Sequence, residues 1–223
     1  MMLLSMLGIA YLTLCGSYSP AQSSTPAAQD ATTSAPGEHI VPRIVRVGPD
    51  DPSFPIGRLT ILYDGKPVKY GTYFDAPDDW LRHVSVSFQN RSAKTLIAGF
   101  LQIDFRQLGG DPLAFYFVQF GLTPEHQLYT RSGQPTSRQP GETPFSLAPG
   151  ATGTISLERY YPGIRSAIET RGTLAQLTYC HIDYGAFYFD DDLRWMRGAF
   201  TRADPAKPWE YAPTPPEDFM PKP

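Results

Sequence analysis

The sequence predicts an all-β chain, an antiparallel two-sheet sandwich with one short helix and disordered termini, and three observations carry that expectation. Val84, Val86 and Phe88 alternate with Ser85, Ser87 and Gln89, the period-two pattern of a strand with one buried face. Leu101, Ile103 and Phe105 resume the pattern against Gln102, Asp104 and Arg106. The composition agrees, since 13 Tyr and 13 Phe beside 23 Pro and 19 Gly favour strands and turns over helices.

At the N-terminus, residues 1–21 read as a secretory signal peptide. The apolar run through Leu14 is too short to span a bilayer, and Ser19 and Ala21 supply the small residues before a cut at Ala21–Gln22. No Lys or Arg precedes the run, which would place the true start upstream. Lipidation at Cys15 is the rival reading. Leu12-Thr13-Leu14-Cys15 has the distal Leu of a lipobox, although Leu14 stands where that motif wants Gly, Ala or Ser. On either reading the protein is exported, as a periplasmic or extracellular protein or a lipid-anchored one of the envelope. Residues 22–40, rich in Ser, Thr, Ala, Pro and Gln, form a disordered linker that lacks the apolar surface to offset ordering entropy.

The β-sandwich domain is expected over residues 41–202. Residues 43–47 make a short edge strand. Leu59, Ile61 and Tyr63 lie on a strand that turns at Asp64-Gly65 and returns over residues 68–74. The two alternating runs within residues 83–107 are expected to pair as the central hairpin, with Asn90-Arg91-Ser92 a link in which changes do little. In Asn90-Arg91-Ser92 the form of a glycosylation sequon is read as a turn asparagine. Residues 113–120 (LAFYFVQF) carry bulk on both faces. Such a strand is either covered on both sides or offers an aromatic face to a ligand, and cover is the expectation. Residues 122–141 read as an exposed loop, and Pro149-Gly150 suits a type II turn. Ile164, Ala167 and Ile168 give residues 162–170 their helical spacing. In the strand over residues 173–184 the apolar positions change parity, which predicts a bulge. Residues 187–189 and 193–200 flank an acidic turn as a final hairpin. From residue 203 to 223 seven prolines predict a tail without strands.

Three patches carry a resemblance: VSFQNRSAKTLIAGFLQIDF, LAPGATGTISL and FDDDLRWMRG. Together they resemble uncharacterised exported β-sandwich proteins of soil bacteria with an immunoglobulin- or fibronectin-III-like fold. The resemblance implies an immunoglobulin-like fold and no activity, and the disulfide and core Trp of antibody domains are not recognisable here.

Chemistry is harder to find. With 19 basic and 22 acidic residues and a net charge of −3, the chain has no basic stripe for nucleic acid. Nucleophile-elbow, zinc-protease, phosphate-loop and dinucleotide motifs are all absent from the sequence. Asp183, Asp190, Asp191 and Asp192 form the one acidic cluster, a candidate Ca²⁺ site, yet without the spacing of a calcium loop. His181 and Asp183 share a strand face, which is two groups of a metal or acid–base site and not three. Trp80, Trp195 and Tyr116 are the candidate aromatic platform for a glycan. Cys180 reads as a small buried apolar residue. The expectation is therefore a non-enzymatic exported binding or structural protein without a cofactor. It would have no transmembrane span after signal removal, and a protein or glycan ligand. A carbohydrate-binding module and, behind it, a metal-dependent enzyme at His181, Asp183 and Asp190 to Asp192 are the alternatives.

Overall fold

In the computed structural model, residues 39–110, 114–128, 133–138 and 142–220 are described, and they make two sheets and one short α-helix. The expected signal peptide, Cys15 and the expected linker up to residue 38 lie outside the described residues. Strand β1 spans Val41–Val47, β2 Thr60–Tyr63, β3 Lys66–Pro67 and β4 Phe74–Ala76. Next come β5 (Val84–Gln89), β6 (Leu96–Asp104), β7 (Phe115–Gly121) and β8 (Thr152–Ser156). Helix α1 (Tyr161–Glu169) precedes β9 (Tyr179–Phe189), β10 (Leu193–Met196), β11 (Ala199–Asp204) and β12 (Lys207–Pro213).

The small sheet has the order β3-β2-β5-β8. The large one runs β12-β11-β10-β9-β1-β4, with β6 on the far side of β9 and β7 outside β6. Long β9 organises this sheet. Its first half pairs with β1, its second half with β10, and β6 follows nearly its whole length on the other side. The alternation in the sequence puts Val84, Val86 and Phe88 of the small sheet against Leu101, Ile103 and Phe105 of the large one, all at most 2% exposed. Phe88 meets Phe120 at 5.7 Å and Phe187 at 6.1 Å between ring centroids, so the core is the seam between the sheets.

That arrangement corrects the expected central hairpin. Strands β5 and β6 do not pair with each other, because each belongs to a different sheet. The link between them is a corner, and Asn90 holds it. Its side chain is fully buried. Nδ2 donates to the carbonyls of Lys94 and Leu147, both at 2.8 Å, and Oδ1 accepts from the Ser92 amide and hydroxyl. Alternation reveals which face of a strand is buried and is silent about which neighbour it bonds.

Further corrections have similar causes. Strand β1 is no edge: it lies between β4 and β9, antiparallel to the first and parallel to the second. The Asp64-Gly65 turn is present, with φ of 47° and 74°, but its return strand is only β3, and β4 joins the other sheet. Residues 193–200 hold a second turn, Arg197-Gly198, that separates β10 from β11. The bulge in β9 falls opposite Phe100, where the register steps from Gly99↔Phe187 to Leu101↔Tyr184. The expected tail contains β12 and the fully buried Phe219. Its prolines are tolerated because β12 is the outermost strand, where a missing N–H breaks no central ladder. The domain thus runs past residue 202 to at least Met220.

Candidate functional site

Sequence reading favours two tryptophans and a tyrosine, and the structure withdraws them. Trp80 is fully buried, its Nε1 donating to the Leu177 carbonyl at 3.1 Å. Trp195 is 1% exposed and packs on Phe54, Tyr184 and Phe187. Tyr116 is half-buried, its hydroxyl set so close to Gly163 of α1 that a Cβ there would lie 2.3 Å away. These residues are core and packing, because large aromatic rings between two sheets bury more apolar surface than any other side chains present.

Asp183 separates from the other acidic candidates, while Asp190, Asp191 and Asp192 line one hollow of about 380 Å³ with Glu125 and Arg138. Asp183 lies mid-strand and Asp190 just past the end of β9, roughly 23 Å along an extended chain at about 3.3 Å per residue. Asp183 Oδ1 accepts the Tyr184 amide at 2.8 Å and stands over Gly48. Asp190 accepts the Thr95 amide at 3.2 Å, and Asp191 is ion-paired with Lys94. The Lys94 ammonium holds the Asp191 carboxyl below the usual carboxylate range. Asp191 and Asp192 adopt φ of 59° and 57°, a left-handed turn that Asp tolerates. Among the described residues no group of three His, Cys, Asp or Glu side chains comes together to hold a metal ion. His181 faces Asp104 in register, but Asp104 is held by Arg106 at 2.6 Å, and no acid–base pair forms with His181 among the described residues. Cys180 is fully buried, and burial pushes its thiol well up from its ordinary range, so it is not a nucleophile.

The exposed aromatic surface lies on the outer face of the large sheet, and the residues that build it follow from β6, β7 and β9. On β7 the side chains of Val118 and Phe120 enter the core, which turns Phe115 and Phe117 outward. The rings then form a chain: Phe115 to Phe117 at 5.0 Å, Phe117 to Phe100 at 6.4 Å, Phe100 to Tyr188 at 6.0 Å. Phe117 is 47% exposed and Met196, at the end of β10, 40%. The bulge of β9 places Gly185 and Ala186 opposite Phe100, and the lack of bulk there leaves a groove of about 330 Å³. A Cβ on Gly185 would come within 2.7 Å of the Phe100 carbonyl oxygen, so glycine is what the close approach allows. Phe100, Phe117, Ala186, Tyr188 and Met196 line the groove, with Gln102 and Arg197 as its polar members, while the Tyr184 ring turns into the core and its hydroxyl donates to the Gly57 carbonyl.

Burial pushes the Tyr184 phenol up to about 12 and the Tyr188 phenol upward too, so both remain neutral at ordinary pH. Among the described residues Arg197 is the only charged one lining the groove. The outer face of the small sheet is different: Ser85, Ser87, Thr152 and Thr154 make it polar and uncharged. The signal for the groove was present in LAFYFVQF, where one of two faces had to be either covered or offered; the structure offers it. Comparison with known protein families, with curated proteins and with solved structures gave no match.

Proposed function

We propose that this chain is an exported, non-enzymatic binding protein with an immunoglobulin-like sandwich, which takes its ligand on the outer face of the large sheet. The carrying observation is the groove itself: two large apolar side chains, Phe117 and Met196, stand in solvent beside a hollow of about 330 Å³ floored by Ala186 and Gly185. Small-ligand sites are hollows of this size, mostly apolar with a few polar groups that fix orientation. The distance of His181 and Asp183 from Asp190, Asp191 and Asp192 favours binding over catalysis. Export is supported by the apolar run ending at Leu14 and the small residues Ser19 and Ala21, with lipid attachment at Cys15 as the alternative form of the same destination.

Two measurements test this reading. A neutral apolar dye such as Nile red should bind the wild-type protein, and Phe117→Ser with Met196→Ser should lose the binding without lowering Tm. Undiminished dye binding by that double variant would overturn the placement on this face. The mass of the mature protein tests export: removal of residues 1–21, or a diacylated Cys15 at the N-terminus, is the expected result, and a full-length chain is the contrary one.

A further inference from the structure

The groove is mostly apolar, and among the described residues that line it there is one charge, a cation. Arg197 has no hydrogen-bond or ion-pair partner among the described residues. Its backbone adds a second observation. Met196 pairs with Ala199, so Arg197-Gly198 is a two-residue turn, with φ of 51° at Arg197 and 83° at Gly198. Both central residues of such a turn are left-handed, and Asn-Gly or Asp-Gly is the preferred pair. An arginine in that conformation is strained relative to asparagine, and strain of this kind clusters where a side chain is needed for binding. Local preference asks for Asn, Asp or Gly at 197; the groove beside it has a mostly apolar surface with no charge but this one among the described residues that line it.

Resting on the outer-face reading above, we propose that the groove holds the acyl chain of a free fatty acid, its carboxylate at Arg197. The chain lies against Phe100, Phe117, Ala186, Tyr188 and Met196. Charge complementarity selects the occupant. The complement of an apolar trough with one cation at its edge is an apolar chain with one anion at its end. Among the described residues that line the groove there is no aspartate or glutamate to repel that anion. The head group stays wet, so its pairing with Arg197 adds a small, salt-screened increment to affinity that comes mainly from methylene burial.

Decanoate and decanol, probes of equal chain length with and without the charge, separate the two levels of the proposal. Both are titrated calorimetrically at low salt into wild type, Arg197→Asn and Phe117→Ser. Wild type should bind both. Arg197→Asn should weaken decanoate by about threefold, the range of an exposed ion pair, and leave decanol unchanged. The same variant should melt about 2 °C higher, since it relieves the turn, which excludes misfolding as the cause. Phe117→Ser should weaken both probes. If Arg197→Asn binds decanoate as wild type does, the fatty-acid assignment is overturned while the outer face stands. If Phe117→Ser binds both probes as wild type does, the outer-face reading fails with it. Uptake of neither probe, with sedimentation showing a dimer that Phe117→Ser dissolves, would overturn the assignment in favour of a second copy of this chain.

Discussion

Asn90 shows how much a single polar side chain decides here. In the sequence it is one of several turn formers, and its neighbours give no sign of burial. In the fold it satisfies two carbonyls and two donors at the corner between the sheets. Asn90→Ala leaves those groups buried without partners and should cost roughly 3 kcal/mol in denaturant unfolding, whereas Arg91→Ala, which removes a half-exposed ion pair with Asp50, should cost no more than about 1 kcal/mol. Equal midpoints for the two variants would contradict this account of the corner. The same buried amide closes the sequon to glycosylation of the folded chain.

Arg43 is the second such residue. It is fully buried on β1, with Nη1 donating to the Leu177 carbonyl at 2.6 Å and Nη2 to Asp78 at 2.6 Å. Burial pushes the Asp78 carboxyl up, but the hydrogen bonds from His39 and Arg43 outweigh it and hold the group below the usual range. A carboxyl depressed in the folded state adds stability that is present above its unfolded value near pH 3.9 and lost as pH falls through the folded one. Wild type should therefore lose stability on acidification below about pH 4 more steeply than Asp78→Asn, which is weaker at pH 7. Urea midpoints measured between pH 7 and pH 3 check the convergence; parallel curves would remove Asp78 from the account. Arg43 is not legible beforehand, because its partners lie far away in sequence, and the burial of Asn90 is not, because it comes from packing against Leu147 while its bonds to Ser92 and Lys94 are those of any turn asparagine.

At the level of elements, the legible part is the set of faces. Val84, Val86, Phe88, Leu101, Ile103 and Phe105 are core as alternation requires, and Ile164 and Ile168 are the buried side of α1 as helical spacing requires. Pairing was not legible, since hydrogen-bond partners depend on the path between strands and not on their patterns. The C-terminal segment is the instructive failure. Proline density argues against a central strand, and β12 is not central. Beyond it Phe219 packs edge-on to Phe189 at 5.6 Å and against Phe200 at 4.6 Å, while its carbonyl accepts the Ala93 amide. Phe219→Ala should cost about 3 to 4 kcal/mol, the range for a buried phenylalanine, read as a lowered denaturant midpoint with an unchanged m-value. A change under about 1 kcal/mol would mean that the segment is dispensable. The groove was half legible: an aromatic strand with two bulky faces raises the question, and only the position of the β9 bulge answers it.

For the whole molecule, the two sheets divide the labour. Their facing surfaces carry the core, the small sheet turns Ser and Thr outward, and the large sheet keeps its apolar excess for the groove. A sheet that leaves aromatic rings in solvent on an outer strand also risks unwanted association, since β7 carries no charge along its length. The parallel union of β1 with β9 has a consequence in time. Arg43 and Leu177, joined by a hydrogen bond, stand 134 positions apart in the chain. Strand β1 can pair early with β4 through Val41 to Arg43, but its second half, Ile44 to Val47, waits for β9. Closure entropy must be met before those contacts return anything, so completion is late and slow by comparison with a chain of local hairpins. A protein built this way can finish its small sheet and the β6–β7 pair early, yet closes its large sheet only after most of its length has emerged.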